Sequence, residues 1–370
     1  MPLAPCAARR IRASFLPTNC HSYFLVRSPT AGQTAKMDNH HALSRRRLLT
    51  GSAAAGAAAV ALGAAVPAAS ADRMPGVSRP PVSRFRGTAG ASGITLRWLG
   101  NNAWEITFGG TTILIDPWVT RFPTGTYTGG TRPDTRLFTD RAIVDRYITR
   151  ADLILVGHGH FDHIADVPYI ATKTGAGVLG TETHVNLLQK MGAPPAQLGV
   201  VSGGEHLQYD GFTVEVFASL HSMTGVDTTR NKQVPFPGTR PGPLRKIDKP
   251  STVADLVEGG TLAYQVTIDD RFQILALSTA NFIERELTGL HPDVAIVAAG
   301  GRSVHDYVGR LMRTLNRPTW VVPTHWDDFD VPLDQPAKDF GALQPLRAAV
   351  VAASPDTTFV QLDHLQTFTP

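Results

Sequence analysis

Cysteine is almost absent. Cys6 and Cys20 both fall within the first 71 residues, and none follows. The rest of the chain therefore excludes disulfides, thiolate-ligated zinc and thiol catalysis. Charge is scarce, at 18% Asp, Glu, Lys and Arg, and unevenly spread. Residues 1–71 hold eight Lys and Arg against one acid, Asp38, so the formal +4 of the whole chain conceals a net of about −3 over 72–370. A mildly acidic body argues against a nucleic-acid partner recruited by bulk charge. Long apolar runs are missing too, except one Ala-rich stretch near the start. Composition excludes a collagenous, coiled-coil or wholly disordered chain. At 370 residues and 42% hydrophobic, the chain can build one large domain or two modest ones around a sizeable core.

The beginning reads as a leader. Residues 44–50 are Ser-Arg-Arg-Arg-Leu-Leu-Thr, an Ala/Gly/Val run extends from Ser52 to Val66, and Pro67-Ala-Ala-Ser-Ala71 follows. A basic region, a weakly apolar core and a small-residue cleavage site are the parts of a secretory signal. Consecutive arginines before so mild a core resemble a twin-arginine export signal. Residues 1–71 are thus expected to be removed after Ala71, with Met37 as the true start. The product would be secreted or held outside the cell envelope, with no membrane span left. A retained anchor is the alternative, although the core is short for a span. Residues 72–92, rich in Pro, Gly, Ser and Arg, read as a linker, and 93–370 as the folded domain.

Within that domain, strand-like runs at Ile94–Leu99, Ala103–Phe108 and Thr112–Asp116 are separated by Gly-Asn-Asn and Gly-Gly turns. Asp152–Val156 reads as a buried strand followed by a helix over Phe161–Thr172. Further strands are expected at Phe212–Ser219, Leu262–Ile268, Phe272–Leu277, Asp293–Val297, Trp320–Pro323 and Thr358–Leu362, with helices over Val304–Leu315 and Ala337–Ala353. Strands leading and helices following in each half suggest two packed sheets with helices outside. Gly225–Gly259 reads as one long Pro/Gly-rich loop carrying six cations, among them Arg245 and Lys246. A loop of that length is a solvated flap or a lid that receives an anionic substrate.

The chemistry concentrates in Gly157-His158-Gly159-His160-Phe161-Asp162-His163, directly after a buried strand. Two imidazoles at i and i+2 can converge on one metal ion, and the neighbouring carboxylate and imidazole can face a second. Nitrogen and carboxylate donors suit Zn²⁺, with Mn²⁺ and Fe²⁺ open to the same set. Two ions about 3.5–4 Å apart can share a bridging hydroxide and polarise a substrate oxygen.

This segment resembles the His-x-His-x-Asp-His signature of the metallo-β-lactamase superfamily. Leu99-Gly100 and Ile113-Leu114-Ile115-Asp116-Pro117-Trp118 resemble its opening strands and their Asp-Pro-Trp turn. His221, in Ala-Ser-Leu-His-Ser, and His325, in Val-Pro-Thr-His-Trp-Asp, stand where the family places its third and last histidines. The resemblance implies an α+β fold, a four-layer αββα sandwich with one or two zinc ions at a sheet edge. His158, His160 and His221 would hold one ion. Asp162, His163 and His325 would hold the other, and Asp116 would orient a ligand histidine. Ser278 stands where the family usually supplies a bridging aspartate, so the second ion is expected to be weakly held and Ser278→Asp to tighten it. His305 and Tyr307, heading a helix, are candidate substrate contacts.

The implied activity is metal-dependent hydrolysis. Metal-bound hydroxide, oriented by Asp162, would attack a lactone, ester, amide or related bond of a small molecule. The Asp-Pro-Trp and Val-Pro-Thr-His contexts look closest to the ascorbate-6-phosphate lactonase-like branch. The cationic loop keeps open phosphodiester or phospholipid head-group cleavage. The absent aspartate keeps open a non-hydrolytic, metal-holding or di-iron redox protein.

Overall fold

The computed structural model describes residues 93–227, 232–235, 247–299 and 304–370. The leader, the linker, Arg245 and Lys246 lie outside them. Strands β1 (Thr95–Trp98), β2 (Trp104–Phe108), β3 (Thr111–Ile115), β4 (Leu153–Leu155), β5 (Gly177–Gly180) and β6 (Leu198–Val200) make the first sheet. Strands β7 (His206–Tyr209) and β8 (Phe212–Ser219) begin the second. A separate ribbon of β9 (Met223–Asp227) and β10 (Lys232–Pro235) follows. The second sheet resumes with β11 (Thr261–Ile268), β12 (Phe272–Leu277), β13 (Val294–Ala298), β14 (Trp320–Thr324) and β15 (Thr358–Phe359), and β16 (Thr367–Phe368) returns to pair with β1. The helices are α1 (Arg141–Tyr147), α2 (Phe161–Ile164), α3 (Val167–Thr174), α4 (Glu182–Lys190), α5 (Glu284–Leu287), α6 (Tyr307–Thr314) and α7 (Leu343–Ala353).

The two-residue period of a strand assigns each side chain to a layer. Ile113, Ile115, Leu153, Leu155 and Leu179 enter the core shared with the second sheet. Their neighbours Leu114, Ile154 and Val178 pack instead with Val144, Ile170, Leu187 and Leu188 of α1, α3 and α4. Both faces are covered, which is why these strands read as continuous apolar runs. On the other side, Leu287, Leu311, Met312, Leu346 and Val350 bring α5, α6 and α7 into the core of the second sheet. The result is the αββα sandwich.

Several expected elements are shorter, for local reasons. The helix expected over Phe161–Thr172 divides at Asp166, whose carboxylate accepts Val119 N, Thr120 N and Thr120 Oγ1. The helix expected from Ala337 begins at Leu343, because Asp339 Oδ1 takes the main-chain N–H groups of Gly341, Ala342 and Leu343. The long loop read over Gly225–Gly259 includes part of β9, all of β10 and a 3₁₀ turn at Val253–Asp255.

Strands β3 and β4 run parallel, as do β12, β13 and β14. Their carboxyl ends deliver Asp116, His158, Ser278 and His325, and the end of β8 delivers His221. In open parallel sheets such ends are where ligands bind. Among the described residues, no helix is long and apolar enough to cross a membrane.

Candidate metal centre

Asp116 is fully buried and sits in the left-handed region, φ 43°. Its Oδ1 accepts Gly157 N at 2.6 Å. Its Oδ2 accepts His163 Nδ1 at 2.8 Å, Asn102 Nδ2 at 2.8 Å and Ser278 Oγ at 2.9 Å. Four donors on one carboxylate stabilise the anion. The packing leaves no room for a side chain at 157, where a Cβ would meet Ser278 Oγ at 2.2 Å and Asp116 Oδ2 at 2.8 Å.

The same contacts set the histidine tautomers. Ser278 Oγ gives its proton to Asp116 and therefore accepts from His158 Nδ1 at 2.9 Å. His163 donates Nδ1–H to Asp116, and His221 donates Nδ1–H to Ser222 O at 3.1 Å. In the neutral form each of the three then carries its lone pair on Nε2. These histidines belong to two groups that each offer one donor atom per residue within 4.8 Å of the others: His158, His160 and His221, and His158, Asp162 and His163. Ring centroids in the first group are 4.7–4.9 Å apart. His325 Nε2 stands 3.3 Å from Asp162 Oδ2, the same oxygen that His163 Nε2 approaches at 3.3 Å.

Electrostatics suit a cation. Burial pushes down the pKa of His158, His160 and His221, that of His160 to about 3, and neighbouring imidazoles add to the effect, so all three are neutral donors at pH 7. For His163, burial is outweighed by Asp162 and Asp116, which hold its imidazolium up to about 10. For Asp162, burial is outweighed by His163 and His325, which keep its carboxyl well below the usual range. His163 Nε2 is buried without a hydrogen-bond partner, although Asp162 Oδ2 is 3.3 Å away. A divalent ion would replace one proton between two carboxylates and satisfy that nitrogen. The residues present therefore fit a metal, and the donors are nitrogen and carboxylate oxygen, with no sulfur.

The structure thus gathers His158, His160, Asp162, His163, His221 and His325 at one edge, with Asp116 behind them. Three expectations change. His158 belongs to both donor groups, rather than to one alone. Ser278, expected only as the position of a missing bridging ligand, has a hydrogen-bonding role of its own, joining His158 Nδ1 to Asp116 Oδ2. It is 4% exposed and spent on the His158–Asp116 link. His305 is exposed and Tyr307 lines a different cavity, against Ala342 and Leu346 of the α7 region, so neither lines the cleft above the histidines.

Three features escape a reading of the sequence. Asn101 ties Asp162 to the end of β14. The buried Arg121–Asp327 pair, 2.6 Å apart, lies behind it with His364 Nε2 2.9 Å from the same Asp327 oxygen. His184 caps α4 and holds Glu258 O at 3.0 Å. The Gly-Asn-Asn turn was a signal, but it carries the same residues as any tight turn.

An αββα sandwich with anchored imidazoles converging at its strand ends is suited to holding one or two metal ions. A family model described as a beta-lactamase superfamily domain matches residues 95–242. A UPF0173 metal-dependent hydrolase of Myxococcus xanthus is 28% identical over 281 residues, covering 73% of this chain and 84% of that protein. One from Agrobacterium fabrum is 26% identical over 261 residues, covering 69% and 94%. Among solved structures, the metallo hydrolase Igni18 of Ignicoccus hospitalis aligns with a TM-score of 0.47 and 19% identity, covering 74% of this chain and 97% of that one. Over residues 95–242 the chain is thus similar to a beta-lactamase superfamily domain, and over most of its length to metal-dependent hydrolases.

Proposed function

We propose that this protein hydrolyses a carbonyl bond, in a lactone, ester or amide, of a small molecule. The observation that carries the reading is the set of three histidines, His158, His163 and His221, whose Nδ1 atoms are held by Ser278, Asp116 and Ser222, leaving Nε2 as the nitrogen each could offer to a metal in one of two adjoining donor groups. Such anchoring by outer partners is how metal-binding imidazoles are oriented. His158, His160 and His221 would hold one divalent ion and Asp162, His163 and His325 a second, with His158 near both. Zinc suits these donors best, and manganese and iron accept the same set. When bound, the ion would supply Lewis acidity toward the substrate carbonyl and toward water.

The chain's own residues supply the rest. Two carboxylates line the cleft, Asp162 and Glu258. Glu258 is occupied, accepting Thr261 Oγ1 at 2.6 Å and Gly260 N at 2.9 Å. Asp162 lies against His163 and His325 within the cluster, and we assign it to orient water and to pass its proton to the leaving group. Asn101 Nδ2, 3.2 Å from Asp162 Oδ2, fixes its orientation.

The test is metal analysis of the purified chain and of His160→Ala, with turnover on a panel of lactones, esters, amides and phosphodiesters. Loss of metal and turnover together in a variant that still folds supports the reading. Unchanged turnover removes His160 from the site, and phosphodiester cleavage alone overturns the carbonyl assignment.

We also propose export by the twin-arginine route, on the strength of Arg45-Arg46 before the Ala-rich stretch and Ala69-Ser70-Ala71 after it. Arg45→Lys combined with Arg46→Lys should trap precursor inside the cell, and normal export of that double variant would refute the proposal.

A further inference from the structure

We infer that the hydrolysed molecule is uncharged and carries an apolar substituent, bound against a wall made by Phe161, Val253, Leu256, Val257 and Phe329 beside the histidine cluster. The inference rests on the hydrolase reading and adds the substrate class to it. The cleft encloses about 480 Å³, within the range of a small-molecule pocket. Among its described lining residues there is no Lys or Arg, and its two ionisable groups besides the histidines are the carboxylates of Asp162 and Glu258. Among the described lining residues, an anionic substituent lying away from the ions would meet those carboxylates and no Lys or Arg. An apolar group meets side chains exposed by only 3% (Leu256), 4% (Phe329), 6% (Val253) and 8% (Phe161).

The wall is built rather than incidental. Val253 N donates to Thr135 O at 2.9 Å and Ala254 N to Pro133 O at 3.1 Å. The carboxylate of Asp255 takes the N–H groups of Ser251 and Thr252. At the other end Glu258 O accepts Gly159 N at 2.9 Å and His184 Nε2 at 3.0 Å, fastening the segment to the His158–His160 turn. A side chain at 159 would drive a Cβ to 2.4 Å from Val257 O, so that glycine permits the contact. Across the cleft, Phe161 and Phe329 both pack edge-on to the buried Trp118, with centroids 5.5 and 5.8 Å from it. Neither side can withdraw to admit a hydrated charge without breaking these contacts. An apolar substituent would displace water from both sides and gain with each methylene buried.

The experiment uses the zinc-loaded chain with p-nitrophenyl esters from acetate to decanoate, a p-nitrophenyl hemisuccinate and bis(p-nitrophenyl) phosphate. Expected are a rise in kcat/KM of roughly threefold to fivefold per methylene over the first few added, and at least a hundredfold preference for neutral over charged substrates of equal size. Val257→Ser and Leu256→Ala should flatten the length dependence, with melting temperature and zinc content measured alongside to exclude misfolding. A flat length dependence in the unaltered protein, or a preference for the hemisuccinate, overturns the inference while leaving the hydrolase reading standing, and turnover of the phosphodiester alone overturns both the inference and the carbonyl assignment. If no ester is turned over, calorimetric titration with N-octylacetamide and octyl phosphate separates the two. Binding of the neutral amide alone upholds the apolar wall and counts against hydrolysis, and binding of the phosphate alone, or of neither, sinks the wall.

Discussion

Asn101 and Asp162, 61 residues apart, are joined twice: the Asn101 amide donates to the Asp162 main-chain oxygen at 2.8 Å and to its Oδ2 at 3.2 Å. The carbonyl of Asn101 meanwhile accepts His325 N at 2.8 Å and Thr324 Oγ1 at 2.7 Å, and its own N–H donates to Asp327 Oδ1 at 2.9 Å. One residue therefore sets the distance between Asp162, from the first half of the chain, and His325, from the second. Asn101, Asp116 and His325 all have positive φ, between 43° and 53°. Such geometry costs free energy and persists where the surroundings enforce it.

Removing that tie should disturb the site before it disturbs the fold. Asn101→Ala is expected to lower kcat or the affinity for the second ion by about 10–100-fold, the range for groups that orient metal ligands. Asn101→Gly should do the same while relieving the positive φ. A chelator competition assay on both variants checks this, and wild-type affinity in both would show that Asn101 serves only the turn.

Ser278→Asp should weaken the centre rather than tighten it. The hydroxyl donates to Asp116 Oδ2 at 2.9 Å and accepts from His158 at the same distance in a buried space. A carboxylate there would set two anions against each other and remove a donor, at a cost of about 1–3 kcal/mol. Thermal melts and zinc content report the outcome, and a more stable variant with higher zinc content would place Ser278 at the ions after all.

Metal binding should release a proton. His163 keeps its imidazolium up to about 10 in the metal-free protein because Asp162 and Asp116 outweigh its burial. At pH 8 it is protonated, and an ion must displace that proton to reach Nε2. Affinity for the ion bound by His163 should therefore rise with pH, about tenfold per unit while the pH stays below 10. Calorimetry in buffers of different ionisation heat should find about one proton released per ion at that site, and Asp116→Asn should lower the figure.

His184 should make the fold acid-sensitive. Burial lowers its pKa from 6.5 to about 4. Its Nδ1 accepts Thr181 N and its Nε2–H donates to Glu258 O, an arrangement only the neutral ring can make. The unfolded chain binds this proton more readily, so the contribution is present above pH 6.5 and is lost as pH falls through 4. The slope approaches 1.4 kcal/mol per pH unit in that window, about 3 kcal/mol in all. Urea titrations of His184→Gln and wild type between pH 4 and 7.5 should show a shallower slope in the variant.

Ten of the sixteen described strands announce themselves because alternation or a short apolar run is a local property, whereas β5, β6, β7, β9, β10 and β16 carry no such signal. Phe212–Ser219 and Phe272–Leu277 occupy the residues their patterns indicate. His158, His160, Asp162 and His163 are legible for the same reason: four donors within six residues need no knowledge of the rest of the chain. Asp116 is legible through its turn after an apolar strand. What the chain folds to bring beside them is another matter. Asn101 looks like any turn asparagine until β14 ends against it, and Ser278 looks like a lost ligand until its hydroxyl is found between Asp116 and His158. Arg121, Asp327 and His364 come from three distant segments and have no pattern along the sequence. The same holds for Val253, Leu256 and Val257, ordinary apolar residues in a Pro/Gly-rich stretch, which face Phe161 and Phe329 across the cleft only in the folded chain. The sequence by itself determined most of the strands and the four-donor metal-binding motif, because those depend on neighbours in the chain, and the class of chemistry followed from the resemblance that motif carries. Tertiary structure alone decided which groups orient the metal-binding residues and what the cleft can hold, because those depend on contacts between residues tens to hundreds of positions apart.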